Sequence, residues 1–216
     1  GGWRQTRNAL TKPHEGGVNA TSTTPVLRLV AIWRSAVSRL LRRSVEQSSV
    51  APTNSLTKNS TNEAVRFIDE HADEPFFVYV PYSMPHIPIY ASEDFAGTSA
   101  RGLYGDVIEE IDWSVGQILS TLRQLKLDNN TIVFFTSDNG PAFFNPPFML
   151  NPGEDPFNER FNAGLKGSKG WVYEGGIRVP MILRYPARLP ANVVNHELAH
   201  FTDWLPTLAS MCEIEI

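Results

Sequence analysis

Cysteine is nearly missing from this chain. Cys212 is the single one among 216 residues, which excludes an internal disulfide framework and a Cys-x-x-Cys metal site. It follows Leu205, Leu208 and Met211 at helical spacing, the setting of a small buried hydrophobe near a helix end. Long apolar runs are missing too. The longest fall far short of the ~20 residues that a spanning helix needs, so no transmembrane segment is expected. No P-loop pattern occurs, and no Gly-x-Gly-x-x-Gly follows a strand, so a nucleotide fold is not supported. Charged residues make up only 19% of the chain, somewhat under the globular average of about 25%.

What is present is unevenly distributed. Residues 1–50 carry eight Lys/Arg and two Asp/Glu, a charge of +6, whereas residues 51–216 carry eleven and 21, a charge of -10, for a total of -4. The first fifty residues are therefore compositionally foreign to the rest. No nucleic-acid partner is expected. A hydrophobic fraction of 42% and 12 Phe can furnish a sizeable core within one domain, or most of a larger one. The chain starts Gly-Gly-Trp, with no signal-peptide pattern, so the expectation is a fragment or a processed chain. Sequons at Asn19, Asn59 and Asn129 are compatible with a secreted or lysosomal protein.

The leader, residues 1–54, reads as loop-rich and basic. Within it, residues 26–43 place Leu29, Ile32, Trp33, Ala36, Val37 and Leu40 at three- and four-residue spacing. That spacing predicts an amphipathic helix, either packed or lying on a membrane surface. Residues 44–60 read as an exposed linker. From residue 61 a regular alternation begins. Thr61 can cap a helix that ends near Ala72. Phe76–Val80, bounded by prolines, reads as a buried strand. Leu103–Lys126 carries one apolar stripe, with acids at its start and bases at its end, as the helix dipole prefers. Asp128-Asn-Asn is a turn, and Thr131–Phe135 is the next strand. Residues 141–163 form a long loop. Ile177–Tyr185 is expected as a third strand split by Pro180, and Thr202–Met211 as the last helix. This alternation implies an α/β fold, a mainly parallel sheet flanked by helices. In such sheets ligands sit beyond the carboxyl ends of the strands.

Three polar segments lie where such a site is expected. Asp138-Asn139 offers two hard oxygen donors at a strand end, suited to Ca²⁺ or Mg²⁺; the same Asp-Asn-Gly is also ordinary turn chemistry. His86 stands between Pro85 and Pro88, where a stiffened backbone suits a general acid or an anion contact. Lys166 and Lys169 lie among Gly164, Gly167, Gly170, Gly175 and Gly176. Glycines there allow close approach to an anion, and a lysine supplies a point charge. Glu174 could pair with one of these lysines. His196 and His200 share a spacing that can bind zinc, but no third ligand is apparent. Together a divalent cation, an acid and an ammonium group suit the ester of a small tetrahedral anion.

These segments, in their order and wording, resemble the later part of the sulfatase catalytic domain. The match runs through Glu74-Pro-Phe-Phe-Val-Tyr-Val-Pro-Tyr-Ser-Met-Pro-His-Ile-Pro88, the helix with Glu110, Asp112 and Gly116, Thr131-Ile-Val-Phe-Phe-Thr-Ser-Asp-Asn-Gly140, and Gly164-Leu-Lys-Gly-Ser-Lys-Gly-Trp-Val-Tyr-Glu-Gly-Gly-Ile-Arg-Val-Pro180. It covers roughly residues 55–212 and is nearest to arylsulfatase-like members. The resemblance implies an alkaline-phosphatase-like sulfatase fold, incomplete here, with 55–216 a partial catalytic domain. It implies a sulfuric ester hydrolase acting on a small-molecule or glycan sulfate ester. Asp138 and Asn139 would be two Ca²⁺ ligands, Lys169 would contact the sulfate, and His86 would contact it or protonate the leaving oxygen. The family's formylglycine nucleophile arises in a Cys/Ser-x-Pro/Ala-x-Arg segment. No such segment occurs in these 216 residues, so the isolated chain is expected to be inactive. Two alternatives stand beside this reading: a non-catalytic protein of the same fold, and a related phosphate or phosphonate ester hydrolase.

Overall fold

Arg28–Arg34, a run of apolar and β-branched residues between two arginines, forms the central strand β1. In the computed structural model, residues 28–34, 55–143 and 162–215 are described, with backbone alone for 31–34. The other elements are helix α1 (Leu56–Glu70), strand β2 (Phe76–Tyr82), helix α2 (Gly102–Gln124), a 3-10 turn at Asp128–Asn130, strand β3 (Ile132–Ser137), a single helical turn α3 (Glu174–Ile177), strand β4 (Met181–Arg184) and helix α4 (Phe201–Met211). The four strands make one sheet in the order β2-β1-β3-β4. β1 is parallel to β2 and to β3, and β4 lies antiparallel to β3 at the edge. The mainly parallel α/β sheet with flanking helices is thus as expected.

The helix expected over 26–43 is corrected over 28–34, where the backbone is extended. A strand buried on both faces of a parallel sheet is a continuous apolar run, and periodicity alone cannot tell it from a buried helix. What settles the matter is pairing on both sides, which satisfies the backbone groups of β1 from two neighbours. At its start Arg28 is buried. Its Nη2 donates to the Ala72 carbonyl at 2.6 Å and its guanidinium sits 5.9 Å from the Phe76 ring centre. Residues 26–27 and 35–43 lie outside the described residues.

Helix α1 starts at Leu56, earlier than expected, and Thr61 is an interior residue and not its cap. The polar run that reads as linker is helical because its hydroxyls are internal. Thr57 and Thr61 are buried, the Thr61 hydroxyl donates to the Thr57 carbonyl at 2.7 Å, and it meets the hydroxyls of Tyr82 and Ser114. Tyr82 in turn lies 2.6 Å from Ser114 Oγ. This cluster joins α1, α2 and the end of β2. Around it Val30, Ile68, Val78, Val80, Val107, Ile111, Ile118, Leu122 and Val133 form the core, so α1 and α2 cover one sheet face. On the other face Trp204 of α4 tilts against Phe134 of β3, with ring centres 4.9 Å apart.

The strand expected over Ile177–Tyr185 is shorter and starts after Pro180, because Ile177 belongs to the turn α3. There the N–H groups of Gly176 and Ile177 both donate to the Tyr173 carbonyl. His200 is the N-cap of α4. Its Nδ1 accepts from the Thr202 N–H at 3.3 Å while Asp203 accepts from the His200 N–H at 2.7 Å, a reciprocal capping box. His196 lies in the preceding coil. The pair therefore shares no helix face, and among the described residues no group of three or more His, Cys, Asp and Glu is arranged to hold a metal. Cys212 caps the far end of α4, half-buried, and burial pushes its thiol up.

Candidate active site

Register brings the candidate residues to one edge. Arg34 is aligned with Tyr82 and with Ser137, so the three parallel strands end in a row. β4 runs the other way, and the pairing of Thr136 with Met181 puts its beginning at that same edge. His86 follows the end of β2, Asp138-Asn139 follows β3 directly, and the lysine segment leads into β4.

His86 is half-buried, in a turn closed by its own N–H donating to the Ser83 carbonyl at 3.1 Å. Its Nδ1 lies 2.8 Å from the Ile87 carbonyl. A carbonyl only accepts, so Nδ1 carries the proton, and Nε2 is the atom left for proton exchange. The loop that follows is held by α2. The buried Asp106 carboxylate accepts the N–H groups of Gly97 at 2.8 Å and Ser99 at 2.7 Å, and the buried Glu110 accepts that of Ser92 at 3.0 Å. The loop role of these acids is not readable from composition. The available signal is two acids four residues apart on one helix, beside its apolar stripe.

Asp138 and Asn139 are both half-buried. Asn139 Nδ2 donates to the Gly140 carbonyl at 2.8 Å, which leaves its Oδ1 as an acceptor, and Ser137 Oγ donates to the Asn139 carbonyl at 3.1 Å. Asp138 makes no ion pair with a described residue. Burial first, and then the Asp138 charge, push the Tyr79 phenol on β2 above its usual range.

Gly140 is the joint to the lysine segment. Its N–H donates to the Gly176 carbonyl at 2.9 Å, and a Cβ there would stand 2.0 Å from the Gly175 carbonyl oxygen. One residue on, the Pro141 carbonyl accepts the Lys169 N–H at 3.0 Å. The segment is itself tightly wound, with the Gly175 N–H donating to the Lys166 carbonyl at 2.7 Å. Asn162 Nδ2 donates to the carbonyls of Leu165 and Gly167. Lys169 is half-buried and makes no ion pair with a described residue. Lys166 lies over the Tyr173 ring, its Nζ 4.1 Å from the centre. Glu174 pairs with Arg178 at 3.1 Å and not with either lysine, because α3 sets the two on one short turn. Within the long loop over 141–163, residues 144–161 lie outside the described residues.

The family model for sulfatases matches residues 7–214. This chain belongs to the sulfatase family. The match reaches well into the leader that composition sets apart. Among curated relatives, the N-acetylgalactosamine-6-sulfatase of Canis lupus familiaris is 44% identical over 72% of this chain and 28% of its own length. The steryl-sulfatase of Homo sapiens is 41% identical over 72% of this chain and 26% of its own. The sulfatase chain thus spans under a third of these relatives. Among solved structures, a 6S-sulfatase from the glycosaminoglycan-metabolising locus of Bacteroides thetaiotaomicron is 33% identical with a TM-score of 0.64, over 78% of this chain and 35% of that one. A Pseudoalteromonas sulfatase is 26% identical with a TM-score of 0.64, over 74% and 30%.

Proposed function

We propose that the protein takes part in hydrolysis of sulfate esters, with this chain supplying one side of the sulfate site. The carrying observation is the joint at Gly140, which ties the Asp138-Asn139 strand end to the Lys169 segment through two backbone hydrogen bonds. In this reading the Lys169 ammonium group binds a non-bridging sulfate oxygen. His86 uses Nε2 to contact the sulfate or to protonate the leaving alcohol oxygen.

The donors at 138 and 139 fit a hard cation. They are a carboxylate with no cationic partner among the described residues and an amide whose oxygen remains an acceptor. Two donors fall short of the roughly six to eight oxygens that Ca²⁺ takes, so further ligands must complete it. When bound, Ca²⁺ supplies neutralisation of the sulfate's negative charge. No residue here fits the formylglycine precursor motif, so no attack on sulfur is assigned within these residues. The names of the relatives favour a sulfated sugar or a sulfated ring alcohol as substrate. Sequon residues Asn59 and Asn129 are exposed, which supports a secreted or lysosomal setting. No helix among the described residues is long and apolar enough to cross a membrane.

The test is binding of inorganic sulfate and of Ca²⁺, each by isothermal titration calorimetry. Asp138→Ala should abolish Ca²⁺ binding. Lys169→Ala should weaken sulfate by about 1.5–3 kcal/mol, roughly 10- to 150-fold, the worth of a charge-assisted hydrogen bond. Sulfate binding indifferent to both substitutions sinks the reading. Phosphate bound more tightly than sulfate would favour the phosphate-ester alternative. Aryl sulfate turnover by the pure chain would show that the attacking group is present after all.

A further inference from the structure

Trp171, Val172 and Tyr173 are three consecutive exposed apolar residues, at 54%, 87% and 41% exposure. Single exposed apolar side chains are ordinary; this contiguous group lies beside the candidate site. The backbone beneath them is pinned. The Trp171 N–H donates to the Ser168 carbonyl at 3.0 Å, closing a β-turn with Lys169 and Gly170 at its centre. Gly170 has φ +86°, which the third position of a type II turn requires. On the far side the Trp171 carbonyl packs on Gly176, where a Cβ would stand 2.2 Å away. Trp171 therefore holds its backbone rigidly and leaves its indole in solvent, on the same turn as Lys169. Two peptide units separate their Cα atoms by at most about 7.6 Å, so the two side chains spring from neighbouring points of one turn. The Tyr173 ring lies 6.0 Å from that of Trp171, inclined by 33°, and Lys166 occupies one of its faces.

We propose that Trp171 is a specificity-determining residue, stacking on the sugar ring of a sulfated hexose whose sulfate is held by Lys169. This rests on the sulfate-site reading above. The chemistry suits a sugar, because an aromatic face meets the C–H face of the ring. Pre-organisation of the turn spares the entropy of ordering its backbone on binding.

The experiment compares galactose 6-sulfate, methyl sulfate and inorganic sulfate by calorimetry on the full chain with Ca²⁺. Trp171→Ala should weaken galactose 6-sulfate roughly three- to tenfold, in line with aromatic contacts elsewhere. It should leave methyl sulfate and inorganic sulfate unchanged, and Trp171→Phe should recover much of the loss. Unchanged galactose 6-sulfate binding in Trp171→Ala overturns the inference. So does equal weakening of all three ligands, which would mean the residue merely supports the turn. Wild-type protein that binds none of the three, or binds them regardless of Lys169→Ala, defeats the sulfate-site reading and the inference with it.

Discussion

Replacing Gly140 by alanine should separate the two halves of the candidate site. The new Cβ would stand 2.0 Å from the Gly175 carbonyl oxygen, 2.9 Å from its carbon and 3.1 Å from Gly176 Cα. All three atoms are backbone, so no side chain can swing aside. Nor can the segment retreat: Gly175 is itself pressed on the Gly167 carbonyl and Gly176 on that of Trp171, at 2.3 and 2.2 Å from their own ideal Cβ positions. Relief requires a shift of more than an ångström and loses the Gly140–Gly176 hydrogen bond. Overpacking of this kind costs about 1–3 kcal/mol, and the lost bond about 1 more. The sum of about 2–4 kcal/mol corresponds to a melting temperature lowered by roughly 4–16 °C for a chain of this length. Scanning calorimetry measures this, with sulfate titration run in parallel, because Lys169 is carried on the displaced segment. Gly116→Ala is the control. Gly116 lies inside α2 with nothing within 4 Å of its ideal Cβ, and it should gain roughly 0.5–1 kcal/mol. Gly140→Ala melting with the parent protein, and binding sulfate as well, would refute the reasoning.

Two further predictions concern the scaffold. Asp106→Ala leaves the Gly97 and Ser99 N–H groups without their buried acceptor and should cost about 2–4 kcal/mol in urea denaturation, with Asp106→Asn intermediate. Burial raises the Tyr82 phenol above the ordinary value of 10.0, against the lowering effect of its bonds to Ser114 and Thr61. Above pH 10 the unfolded chain therefore loses this proton while the folded chain keeps it, so stability present below that pH falls as the pH climbs. In Tyr82→Phe that component of the alkaline decline should vanish, as chemical denaturation at pH 9 to 11 would reveal; an unaltered decline would assign it to other groups.

Much of the architecture was legible because its signals are local. Helix α2 carries a complete apolar stripe, and β2 and β3 are short apolar runs bounded by proline, asparagine or glycine. His86 and Asp138-Asn139 are placed at the carboxyl edge by strand ends alone, whereas the lysine segment precedes its strand and reaches that edge only because β4 is antiparallel. Lys169, His86, Asp138 and Asn139 were named from such positions and from family resemblance.

Other features needed the tertiary structure. The identity of β1 depends on partners at residues 76–82 and 132–137, far along the chain, so an apolar run compatible with a helix becomes the central strand. The polar start of α1 is helical because Thr57 and Thr61 are buried and the Thr61 hydroxyl, which donates to the Thr57 carbonyl, also meets the hydroxyls of Tyr82 and Ser114. His200, whose spacing from His196 is compatible with zinc but lacks a third ligand, caps a helix because Asp203 answers it. By itself the sequence determined the elements with strong periodicity, the chemical groups and the family, all properties of neighbouring residues. The fold decided which distant backbones pair and which glycines touch, and so joined Asp138-Asn139 to Lys169, since close contact between segments far apart in sequence leaves no local pattern.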